Sequence, residues 1–165
     1  MKTLKTACLL LLLLVAMPLS AQVEIDQKAL LGSWKLNKAP LELTLKFAKG
    51  GKLEQKMIIS SAEMQGSIRM NLTGTWEAVA DSISIGVDPE SIAVKYMGQN
   101  SKIGDMVEQG FRANRDKMLE QFGGKTQVLR NVIVADDLLI FTQQIPAIPG
   151  MSEAREEKVV MTREK

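Results

Sequence analysis

Leu30-Leu31-Gly32-Ser33-Trp34-Lys35-Leu36-Asn37 is the stretch that decides the fold. Leu30, Gly32, Trp34 and Leu36 recur at a period of two, with Ser33, Lys35 and Asn37 between them, the pattern of a strand buried on one face. Trp34 is therefore expected to point into a core. The segments after it read as strands laid down to cover that indole.

Beyond Pro40, Leu41, Leu43, Leu45 and Phe47 alternate with polar residues, and Gly50-Gly51 supplies the positive φ of a tight hairpin turn into a strand from Leu53 to about Ser60. From Met64 to Ala78 the alternation continues, long enough that Gly66 or Gly74 is expected to bend or bulge the strand. Ile83, Ile85 and Val87 form the next strand, Asp88-Pro89-Glu90 closes it, and Ser91 to Met97 reads as a further one. Leu30-x-Gly32-x-Trp34 is echoed in Leu72-x-Gly74-x-Trp76. Two copies are too few for a repeat, and shared strand grammar accounts for them more simply than duplication.

The period then changes. Ile103, Val107, Phe111, Met118 and Phe122 recur at helical spacing, and Glu108 with Arg112 makes a four-residue ion pair on the polar side, so one amphipathic helix is predicted over about 101–122. Asn100 or Ser101 caps its start and Gly123-Gly124 its end, and Gly110 marks a bend or a close contact. Strands return at Thr126 to Val134, Leu138 to Gln143 and Glu156 to Arg163, the first two joined across Ala135-Asp136-Asp137. The fold class is thus mainly β: an antiparallel up-and-down barrel of eight to nine strands with one inserted amphipathic α-helix.

Met1 to Ala21 is expected to be a secretory signal peptide. Lys2 and Lys5 precede the apolar run Leu9 to Met17, and Leu19-Ser20-Ala21 is a small-residue cleavage pattern. The run is too short for the roughly 20 residues that span a bilayer, so no membrane span is expected in the mature chain. Taking 21 residues from 165 leaves 144 for one barrel domain, residues 22–165, exported to a periplasm or outside the cell. Lys2 and Lys5 leave with the leader, so 21 basic residues become 19 against 19 acidic ones, which argues against a nucleic-acid partner.

The sequence holds no histidine, and its one cysteine, Cys8, lies in the leader. Ser-His-Asp and Cys-His catalysis, thiolate or imidazole zinc sites and axial haem histidines are thereby removed. No catalytic residue, metal or cofactor is expected. The interior of an eight-stranded barrel either fills with side chains or holds one small ligand. Met57, Met64 and Met70 fall on strands and would give a soft wall, although methionine is also the ordinary gap-filler of cores. In Val128 to Val134 either the even or the odd residues face inward, so either Arg130 or Asn131 joins the interior; Arg130 is the candidate carboxylate-binding group if the even face is inside. Phe111, Met118 and Phe122 cap an end of the barrel or form a lid. Met57, Met70, Phe111 and Arg130 are the candidate ligand-binding residues, and a small hydrophobic molecule is the implied partner. The rival expectation is a filled barrel acting through its surface, for which the exposed Ile145-Pro146-Ala147-Ile148-Pro149-Gly150 segment is the best feature.

Gly32-x-Trp34 on the first strand, eight or nine up-and-down strands, an export signal and an arginine in the last strand together resemble the lipocalin superfamily. The bacterial secreted lipocalin-like domains, which often carry a second Gly-x-Trp like Gly74-Thr75-Trp76, resemble it most. The resemblance implies that Trp34 packs under an arginine from near the chain's end, and Arg163 is the residue that would take that part. What it implies beyond that contact is the fold class; the non-enzymatic binding module is the leading expectation from the barrel itself. The chain departs from vertebrate lipocalins in placing its helix between strands.

Overall fold

The computed structural model describes residues 24–122, 126–145 and 154–165. The expected leader, the Gly123-Gly124 helix stop and residues 146–150 of the Pro-Ile segment lie outside the described residues, as do the side chains of Met118 and Phe122.

A single helical turn, α1 (Gln27–Leu30), precedes β1 (Gly32–Lys38). Then come β2 (Leu41–Ala48), β3 (Lys52–Ser61), β4 (Gly66–Val79), β5 (Ser82–Val87), a 3-10 turn (Pro89–Ser91) and β6 (Ala93–Gly98). The helix α2 (Ser101–Phe122) is followed by β7 (Thr126–Ala135), β8 (Leu138–Ile145) and β9 (Arg155–Arg163). Antiparallel pairing runs β3-β2-β1-β9-β8-β7-β5-β4, and β4 also pairs with β3, so eight strands close a barrel. The ninth, β6, takes the edge of β4 at Gly66–Asn71 that β5 leaves free by pairing with Gly74–Val79. At the changeover Thr73 is held by the 3-10 turn: its N–H donates to Ser91 Oγ (2.8 Å) and its carbonyl accepts from Asp88 N–H (2.9 Å).

The strand predicted from Leu30 begins instead at Gly32. Asp26 caps α1 by accepting from Lys28 N–H at 2.9 Å, which draws Leu30 into a helical turn. Leu30 remains fully buried, and its carbonyl accepts the indole N–H of Trp34 at 2.8 Å. Arg163 lies 4.1 Å over the Trp34 ring and donates to the carbonyls of Leu31 (2.8 Å) and Ala29 (2.7 Å), so the expected stacking is present. The main core gathers at this closed end, around Trp34, Phe47, Leu53, Ile83, Leu129, Leu139, Phe141 and Met161.

The two Gly-x-Trp segments do different work. Trp34 opposes Leu45, 45 − 34 = 11 residues on, whereas Trp76 opposes Ile85, 85 − 76 = 9 residues on, so the two hairpins differ in register by two residues. Gly32 sits at φ +123° with Arg163 Nη1 2.9 Å from where a Cβ would lie; Gly74 has the Gly86 carbonyl oxygen 2.0 Å from that position. Shared strand grammar fits these differences better than duplication.

In β7 the parity expectation fails in an instructive way. A bulge lies between Arg130 and Ile133, with Asn131 at φ 52°. Leu129 and Val132 are both buried, while Arg130 and Asn131 are both exposed. Neither Arg130 nor Asn131 joins the interior, because the extra residue restores the apolar face without an inward polar group.

Candidate functional site

Cross-strand pairing lines up one level of the interior above the closed end. Leu36 opposes Leu43, Leu43 opposes Met57, Met57 opposes Met70, and Met70 opposes Val94, a continuous apolar belt across β1, β2, β3, β4 and β6. These residues share the inward face with Trp34, Leu45 and Leu72, which are buried. The five belt residues are only half-buried. One step further toward the mouth, Ile59 is 37% exposed opposite the half-buried Ile68.

The facing wall carries polar groups at the mouth. Gln127, Gln143 and Glu157 follow Leu129, Phe141 and Val159 on the inward face of β7, β8 and β9, and Gln143 directly opposes Glu157. Gln127 Nε2 donates to Gln143 Oε1 at 3.3 Å. Lys38, the next inward position after Leu36, pairs with Glu157 at 3.2 Å across the β1–β9 seam. The open end is therefore apolar along one arc and lined by amides and a paired carboxylate along the other.

The helix α2 packs against β6 and the 3-10 turn. Its half-buried stripe is Ile103, Val107, Phe111 and Arg115. Two contacts fix its level: a Cβ on Gly104 would lie 3.3 Å from the Tyr96 ring, and Arg115 pairs with Glu90 at 2.6 Å. Helix and strand run antiparallel, so seven residues at about 1.5 Å each place Phe111 about three strand residues from Tyr96, near the start of β6. Phe111 is half-buried there, and β6 is the strand whose Val94 ends the belt that holds Met57 and Met70. Arg130 stands apart from these three, exposed on the outer face. Leu36, Leu43 and Val94 were not singled out from the sequence; their strand parity was visible, but the register that aligns them with the methionine pair is a long-range property. The glutamine arc has a weaker signal in the sequence: Gln127 lies two residues before the buried Leu129, and Gln143 two residues after the buried Phe141.

Among the described residues, shallow clefts of about 350–400 Å³ lie on β4, β5 and β7, on β1 to β4, and at the β1–β2 turn. Among the described residues no group of three or more His, Cys, Asp or Glu is placed to hold a metal ion, and no helix is long and apolar enough to cross a membrane. No protein-family model and no curated protein matches the chain.

Proposed function

We propose that this chain is an exported, non-enzymatic binding protein of the lipocalin superfamily, holding a small hydrophobic or amphipathic molecule in the open end of its barrel. One observation carries the reading: Leu36, Leu43, Met57, Met70 and Val94 form an inward apolar belt and yet stay half-buried. Apolar surface left to water costs about 25 cal/mol per Å², which a ligand laid against the belt would recover. Methionine side chains adapt to an irregular guest, and the arc of Gln127, Gln143 and Glu157 offers hydrogen bonds to a polar end. Kinship with lipocalins is supported by Arg163 stacked on Trp34, and export to a periplasm or beyond by the composition of residues 1–21.

The test uses N-phenylnaphthylamine, a neutral dye that brightens in apolar surroundings. It is expected to bind saturably, and Met70→Trp, which fills the belt, is expected to weaken that binding about tenfold with little change in melting temperature. Absence of saturable binding, or binding untouched by Met70→Trp, refutes the proposal.

A second reading, a barrel acting through its surface, is favoured by one feature. Ile133 (53% exposed), Ile140 and Val160 (45% exposed) oppose one another on the outer face of β7, β8 and β9. Native mass spectrometry of protein from its own host separates the two, through a retained small mass in the first case and a co-purifying macromolecule in the second.

A further inference from the structure

Three cations crowd the outer wall where β3, β4 and β6 lie side by side. Arg69 stands directly opposite Lys95, and Lys56 lies diagonal to Arg69, two residues from its β3 partner Ile58. Like charges directly opposed across a ladder destabilise a sheet. Two carboxylates of the neighbouring strands are engaged elsewhere: Glu42, which opposes Ile58, is held by Lys35 at 3.2 Å, and Glu54 by Lys46 at 2.9 Å. Among the described residues, Lys56, Arg69 and Lys95 enter no ion pair.

A second observation is independent of the charge count. Arg69 Nε is shielded from solvent and has no hydrogen-bond partner. A dehydrated guanidinium N–H without an acceptor is unfavourable, and it sits where an acceptor would also relieve the opposed charges. Lys56 and Asn71, which oppose each other, line a groove of about 350 Å³ that continues past Thr44 and Thr73. Glu54, held by Lys46, and Glu164 also line it.

We propose that Lys56, Arg69 and Lys95, with Asn71 beside them, form a binding site for a phosphate-class oxyanion. A guanidinium offers paired N–H donors and the two lysines offer mobile point charges, a set matched to a group that presents several acceptor oxygens and up to two negative charges. The anion's source is free phosphate or a phosphorylated lipid headgroup. This site lies on the opposite face of the sheet from the apolar belt and does not depend on it.

The opposed charges give the test an unusual sign. Inorganic phosphate is titrated into the full protein while the Arg69 Nε–H resonance and the melting temperature are followed. A saturable shift and a raised melting temperature are expected for the natural chain. Lys95→Gln is expected to weaken the phosphate response about tenfold and, in phosphate-free buffer, to raise the melting temperature by removing the opposed charge. Lys56→Gln is expected to weaken binding in the same way. No saturable shift, or a response unchanged by both substitutions, overturns the site; so does a Lys95→Gln protein that melts lower without phosphate. Co-sedimentation with phosphatidylcholine vesicles, with and without phosphatidic acid, then identifies the source. Binding that needs phosphatidic acid and is lost in Lys95→Gln assigns the headgroup, and a phosphate response without vesicle binding assigns the free anion.

Discussion

Trp34 and Arg163 show how two side chains close one end of a barrel. The indole is fully buried and its N–H is satisfied by Leu30, while the guanidinium covers the ring and ties β9 to the carbonyls of Ala29 and Leu31. Trp34→Ala is expected to cost about 3–5 kcal/mol, seen as a lower urea midpoint with an unchanged slope. Arg163→Lys keeps the charge but has no fork to reach both carbonyls, and losing one charge-assisted hydrogen bond is expected to cost about 1.5–3 kcal/mol in the same measurement. A midpoint unchanged in Arg163→Lys would show that the carbonyl contacts contribute nothing. The burial of Trp34 was readable from a period of two. The carbonyl contacts were not, because they depend on α1, whose one sequence signal was Asp26 ahead of Gln27-Lys28-Ala29-Leu30. Arg130 was misplaced for a comparable reason: one residue of bulge at Asn131 reverses parity, and Asn131 tolerates the positive φ without any glycine to announce it.

At the scale of elements, alternation identified β2, β4 and β5 because each buries one face, the Ala135-Asp136-Asp137 turn between apolar runs identified β8, and helical spacing identified α2 with the bounds it adopts. Which strand lies beside which was less readable, since β6 neighbours β4 and is passed over between β5 and β7. Gly74 explains part of this. Its missing side chain lets the Gly86 carbonyl come within 2.0 Å of the Cβ position just where β4 exchanges β5 for β6. Gly74→Ala must displace backbone, so its cost is expected at or above the upper end of the ~1–3 kcal/mol overpacking range. Gly110 offers the contrast. A Cβ there meets nothing within 4 Å, so neither a close contact nor packing requires glycine, and Gly110→Ala is expected to stabilise the protein by about 1 kcal/mol through helix propensity. Thermal melts of the two variants should move in opposite directions. Two shifts of the same sign would mean that the space around one glycine differs from that described.

The whole molecule is unevenly packed, and the unevenness bears on how a ligand would enter. At the closed end, Leu30, Trp34, Leu139, Phe141 and Met161 are buried almost completely, and β8 and β9 pair over their length. At the other end, α2 leans on β6 and the 3-10 turn, and no helical side chain among those described is fully buried; Met106 is 72% exposed. Segments with few buried apolar contacts open at lower free energy than the core, and an element that admits a guest has to come from that group. The amides of α2 and β6 are therefore expected to exchange with solvent through a local opening whose free energy varies little with denaturant. Those of β8 and β9 should exchange only through global unfolding, with the full denaturant dependence. Native-state hydrogen exchange across a urea series reads both classes in one experiment. If α2 amides fall on the same line as β8 amides, the helix is part of the cooperative core, the belt at Met57 and Met70 has no moving cover, and a ligand of the kind proposed would have to enter along the glutamine arc instead.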